Sequence, residues 1–96
     1  MKLGKSVAFN DADEVDAVLR ATLAEVLGLP PARVAAFDDS TALFGALPEL
    51  DSMAVATLLT AMEDRFAITI EDDDVEAEDF ASYGRLLSFA KRKTLV

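Results

Sequence analysis

The run Leu50-Asp51-Ser52-Met53 sets a serine hydroxyl at the threshold of an apolar segment whose residues repeat with helical spacing from Val55 to Phe66. The first N–H groups of a helix lack partners within it, and the helix dipole favours negative charge there. An anion attached at that point is stabilised. If a phosphate-linked group is to be esterified to this chain, Ser52 is the natural place. The competing reading is structural. Serine is a preferred N-cap, and Asp51 is a competing one; loss of such a cap costs about 0.5–2 kcal/mol.

Other chemistry is excluded by what the chain lacks. It contains no histidine and no cysteine. Ser-His and Cys-His nucleophiles, zinc sites of the usual ligand types and disulfides are therefore absent, and no metal site is expected. A Ser-Lys hydrolase is improbable, because Lys2, Lys5, Lys91 and Lys93 stand near the two ends of the chain. The run Glu71-Asp72-Asp73-Asp74, with Glu76, Glu78 and Asp79, lacks the glycine and distal glutamate of a calcium loop. It reads as a solvated acidic turn.

With 96 residues the chain suits one small domain, and an apolar content of 52% is too high for disorder. A net charge of −9 argues against nucleic acid and for basic protein partners. The longest weakly polar run, Met53 to Met62, is too short to span a bilayer. Residues 1–10 lack the apolar stretch of a secretory signal. They are read as a flexible tail, residues 11–93 as the folded domain and 94–96 as a second tail, in a cytoplasmic monomer.

Helices must position the serine. Asn10, Asp11 and Asp13 offer caps and early acids for a first helix. Val15, Val18, Leu19, Thr22, Leu23, Val26 and Leu27 form its buried stripe, Gly28 its stop, and Pro30-Pro31 bars simple continuation. Residues 29–51 are too long for a structureless loop. Leu29, Val34, Phe37, Leu43, Phe44, Leu47 and Leu50 are expected to anchor it, with Asp39-Ser40-Thr41 capping a turn through Phe44. The next helix runs over Ser52–Phe66, with Val55, Leu58, Leu59, Met62 and Phe66 inward. Met53, Ala54, Thr57, Thr60, Ala61 and Asp64 lie on its opposite side. Ile68 and Ile70 alternate in an extended link. Asp72-Asp73-Asp74 cap a brief helix through Asp79, with Val75 and Phe80 inward. Ser82 caps a last helix with Tyr83, Leu86, Leu87 and Ala90 buried. The expectation is an all-α bundle of three main helices and one short helix, with a long first loop.

These residues resemble the acyl carrier protein family. The matching elements are Leu50-Asp51-Ser52-Met53, Leu58-Leu59, Ala61-Met62-Glu63-Asp64-Arg65-Phe66, Ile68-x-Ile70, Asp73-Asp74, Glu78-Asp79-Phe80 and Leu86-x-x-Phe89, across residues 14–92. The resemblance implies that Ser52 receives 4′-phosphopantetheine from coenzyme A through a Mg²⁺-dependent phosphopantetheinyl transferase, with Asp51 helping to present it. The arm's thiol then holds an acyl or aminoacyl group as a thioester. Ligase or synthase enzymes with basic docking surfaces are the implied partners, and the chain itself is not an enzyme. Docking is expected around Glu49, Met53, Ala54, Thr57 and Asp64. In this family Phe44, Val55, Leu59, Met62, Ile68, Phe80 and Leu86 can also part to admit an acyl chain. The alternative is a helical interaction module with an unmodified Ser52.

Departures from the fatty-acid carriers are visible. Pro48-Glu49-Leu50 precedes Asp51 where a glycine is usual, and Ala54 and Thr57 stand where acids are common. The stretch from Leu47 to Val55 is similar to that of carriers associated with exosortase and exopolysaccharide systems. Asp-Ser-Met is also seen in D-alanyl carriers.

Overall fold

The computed structural model describes residues 11–95; the expected N-terminal tail and the Asn10 cap lie outside them. Three long helices enclose the core: α1 (Ala12–Leu27), α3 (Ser52–Phe66) and α4 (Tyr83–Thr94). Two short elements join them, α2 (Pro31–Ala35) and a 3-10 helix (Ala77–Phe80). Among the described residues, no helix is long and apolar enough to cross a membrane.

Local chemistry explains the boundaries. Asp11 caps α1 by accepting the Glu14 N–H at 2.9 Å. Gly28 ends that helix in the left-handed region with φ 67°, which costs glycine nothing. Ser82 caps α4 by accepting the Arg85 N–H, and Lys91, Arg92 and Lys93 suit the negative end of that helix.

Helix α2 departs from expectation. Pro30-Pro31 stops one helix but starts another: Pro31 occupies the first helical turn, where the missing N–H is no loss. The turn through Phe44 is also different. Residues 39–44 lie beside residues 80–84, around an isolated antiparallel bridge between Ala42 and Ser82, and pair with them through backbone hydrogen bonds. Leu43 N–H donates to Ala81 O at 3.1 Å, Phe44 N–H to Phe80 O at 2.9 Å and Tyr83 N–H to Thr41 O at 2.8 Å. Gly84 N–H adds a bond to Asp39 O, and a Cβ at Gly84 would lie only 2.7 Å from that oxygen. The strap therefore requires glycine there.

The core is formed by Val15, Leu19 and Leu23 of α1, Leu58, Met62 and Phe66 of α3, and Tyr83, Leu86, Phe89 and Ala90 of α4, sealed by Val34, Leu43 and Leu50 from the connection. Several expectations shift outward. Val18, Val26, Val55, Leu59 and Leu87 are half-buried, and Phe44 is 48% exposed. Phe44 is not a buried anchor, because the strap turns its backbone toward Phe80 and leaves the ring at the surface. Phe89 is fully buried although Tyr83, Leu86, Leu87 and Ala90 alone were expected to form that face. It falls one turn beyond Leu86 on the inward side, whereas Leu87 sits at the margin.

Candidate functional site

Asp51 has extended backbone, and its Oδ1 accepts the Ala54 N–H at 2.8 Å. Asp51 is the N-cap of α3, so Ser52 is the first helical residue and not the cap. The structural reading of the serine hydroxyl thus falls to its neighbour. Ser52 is exposed, and no hydrogen bond to another described residue engages its hydroxyl. By helix geometry the N–H groups of Ser52 and Met53 also lack acceptors within α3. An exposed hydroxyl beside two free donors at the positive end of a 15-residue helix fits a phosphodiester.

The surroundings of Ser52 are apolar. Met53 is 79% exposed and Phe44 48%, the two large exposed hydrophobic side chains among the described residues. A cleft of about 280 Å³ opens beside Ser52 between α3 and the 3-10 helix, walled by Val55, Leu59, Val75 and Phe80. This cleft explains why Val55 and Leu59 are only half-buried: they face an opening, not the closed core.

The remaining sequence candidates are placed as follows. Thr57 is exposed on α3, its hydroxyl donating back to Met53 O at 3.1 Å, and Asp64 is exposed near the far end. Glu49 pairs loosely with Arg33 of α2 at 3.7 Å. Ala54 was expected on the outward side but is half-buried, packed against the core beside Val55 at the margin of the inward face. Ala61 is half-buried as well. Two carboxylates of the acidic turn are engaged locally. Asp74 accepts from Glu71 N–H and Lys93 Nζ, each at 2.8 Å, and Asp79 accepts from Glu76 N–H. The hydrogen bond from Lys93 is the main reason the Asp74 carboxyl is held below its ordinary range.

Sequence reasoning missed one polar cluster. Tyr83 is fully buried, and its hydroxyl donates to an Asp16 carboxylate oxygen. Arg20 donates to Asp16 and to Val34 O and Ala35 O at the end of α2, and its guanidinium lies 4.5 Å from the Tyr83 ring centre. Burial and the neighbouring carboxylate push the Tyr83 phenol well above its usual range. Burial opposes the charge of Asp16, but hydrogen bonds from Tyr83 and Arg20 and the charges of Arg20 and Lys91 win, holding its carboxyl below the ordinary range. The available signal was Asp16 four residues before Arg20 on one helix, with a buried tyrosine needing a partner.

Comparison with known proteins agrees with the geometry. The family model for the phosphopantetheine attachment site matches residues 17–89. The solution NMR structure of a holo acyl carrier protein from Nitrosomonas europaea is similar, with 38% identity and a TM-score of 0.72 over 82% of this chain and 93% of that one. No curated protein matches the chain. A family match spanning most of the chain, on an all-α bundle with the expected helix order, leaves one assignment: the chain belongs to the phosphopantetheine-binding acyl carrier proteins, a carrier and not an enzyme, whose 4′-phosphopantetheine is held covalently.

Proposed function

We propose that Ser52 Oγ is the attachment point and that the chain presents acyl or aminoacyl groups on its arm to partner enzymes. The observation that carries this is the division of labour at the start of α3. Asp51 supplies the cap, which leaves an exposed serine hydroxyl with no structural task among the described residues. In the modification, the serine oxygen bonds to phosphorus, its proton leaves, and the phosphate–phosphate link of coenzyme A breaks to release the nucleotide. Once bound, the arm supplies a thiol that this chain lacks. The thiol supports a reducing, cytoplasmic setting.

The transferase and the acyl or aminoacyl ligases or synthases then meet a surface that is acidic at its margins and apolar beside the serine. Glu49, Asp51 and Asp64 attract basic partners, while Met53 offers an adaptable thioether contact. Ala54 and Thr57 supply a small, uncharged tread between them. Binding to a cognate enzyme is therefore expected to weaken by less than about tenfold between low and physiological salt. Titrations at several salt concentrations check this.

The deciding experiment is intact mass after incubation with coenzyme A and a broad-specificity transferase. One phosphopantetheine increment on the native chain and none on Ser52→Ala is the expected result. No increment on the native chain, or an undiminished one on the variant, overturns the assignment.

A further inference from the structure

One cation stands in the stretch that carries the proposed docking residues. From Ala21 to Asp64 the sequence has seven acidic residues and a single basic one, Arg33. Arg33 lies on α2 and pairs with Glu49 at 3.7 Å, and both residues are exposed. The posts of this pair are fixed although its tips are not. On one side Val34 is buried, and Arg20 Nη1 donates to Val34 O at 2.8 Å and to Ala35 O at 3.2 Å, which ties α2 to α1. On the other, Leu50 is buried and its N–H donates to Leu47 O at 3.0 Å, which holds Glu49 in a closed turn. At 3.7 Å the contact is an ion pair without a hydrogen bond. Exposed pairs of this kind hold weakly, so a competing charge opens them.

We propose that Arg33 is a specificity-determining residue that guards Glu49 against basic enzymes. This rests on Ser52 as the attachment point and on Glu49 as a docking acid. Glu49 is three residues from Ser52, so their Cα atoms lie within about 11 Å of each other. That is close to the Debye length of about 10 Å at 0.1 M salt, so an enzyme at Ser52 feels Glu49. Paired with Arg33, however, Glu49 presents a dipole in place of a charge, and its pull on a basic enzyme fades over a shorter distance. An enzyme whose cation reaches Glu49 must displace Arg33 first. One that reads only Asp51 and the apolar patch at Met53 meets no such barrier. Arg65 provides the contrast. It pairs with Glu25 from the last turn of α3, about 20 Å along the helix from Ser52, where salt screens it from an enzyme at the serine.

The probe is a broad-specificity phosphopantetheinyl transferase with a basic docking surface, acting on the full chain with coenzyme A and read by intact mass. Arg33→Ala, Arg33→Lys, Glu49→Gln, Arg65→Ala and the combined Arg33→Ala and Glu49→Gln variant are compared with the native chain. Thermal melts establish that each is folded. At about 0.1 M salt, KM for the carrier is expected to fall about threefold in Arg33→Ala with kcat unchanged, and to return to the native value in Arg33→Lys. The gain disappears at about 1 M salt, and it is absent when Arg33→Ala is added to Glu49→Gln. Arg65→Ala removes the same formal charge and leaves KM within about 1.5-fold of the native value. An unchanged KM in Arg33→Ala, an equal gain in the Glu49→Gln background, or an equal gain from Arg65→Ala overturns the role of Arg33 alone. A native chain that accepts no increment overturns the Ser52 reading and this one with it.

Discussion

Asp51 caps α3 and leaves the Ser52 hydroxyl, the proposed attachment point, without a capping role. Asp51→Ala removes the side-chain acceptor of the Ala54 N–H at an exposed helix start, so a loss of about 1 kcal/mol in urea unfolding is expected. Ser52→Ala removes no cap bond, since Asp51 supplies it, and introduces a better helix former, so its unfolding midpoint should match the native one within error. This contrast is measurable before any partner is known. That Ser52 stands at the start of a helix was legible in the sequence, because the helical phase after it is clean. Which of the two residues caps was not, since both are good N-caps and only backbone conformation separates them.

At the scale of elements, α2 is held by side chains of α1. Arg20 closes its two last carbonyls, and Asp16 and Tyr83 fix Arg20 in turn. Tyr83→Phe would take a hydrogen bond from a carboxylate in a buried setting, and a loss of about 1.5 kcal/mol is expected by chemical denaturation. The same cluster gives a pH dependence of known sign. Asp16 is held below the ordinary carboxylate range, so its charged form supports the fold at neutral pH and that support fades as pH falls through the lowered value. Asp16→Asn should be less stable than the native chain at neutral pH, and the gap should narrow on acidification. Denaturant midpoints across the acid range check this. The long helices were legible, as their stripes repeat over several turns. Helix α2 was not, because Pro30-Pro31 reads equally as an end and a beginning, and a five-residue helix shows no periodicity. Phe44 misled for a related reason: composition marks it as core, whereas a non-local strap sets its direction.

Across the whole molecule, 18 acidic residues face 9 basic ones, and that excess repels itself. Raising sodium chloride from about 10 to about 200 mM should increase the melting temperature by a few degrees, read by circular dichroism. In the acidic turn from Glu71 to Asp79, Asp74 and Asp79 accept from backbone N–H groups, and Asp74 also from Lys93, which offsets part of the local charge. The strap between residues 39–44 and 80–84 has a broader consequence. It joins two stretches forty residues apart by main-chain bonds that, Gly84 aside, owe little to side-chain identity, and the proposed attachment serine and docking residues lie between them. Evolution, or an engineer, can therefore treat residues 45–79 as an exchangeable cartridge. A chimera that keeps the clasp, Gly84 and the apolar seat on α1 should inherit the donor's clients on this chain's frame.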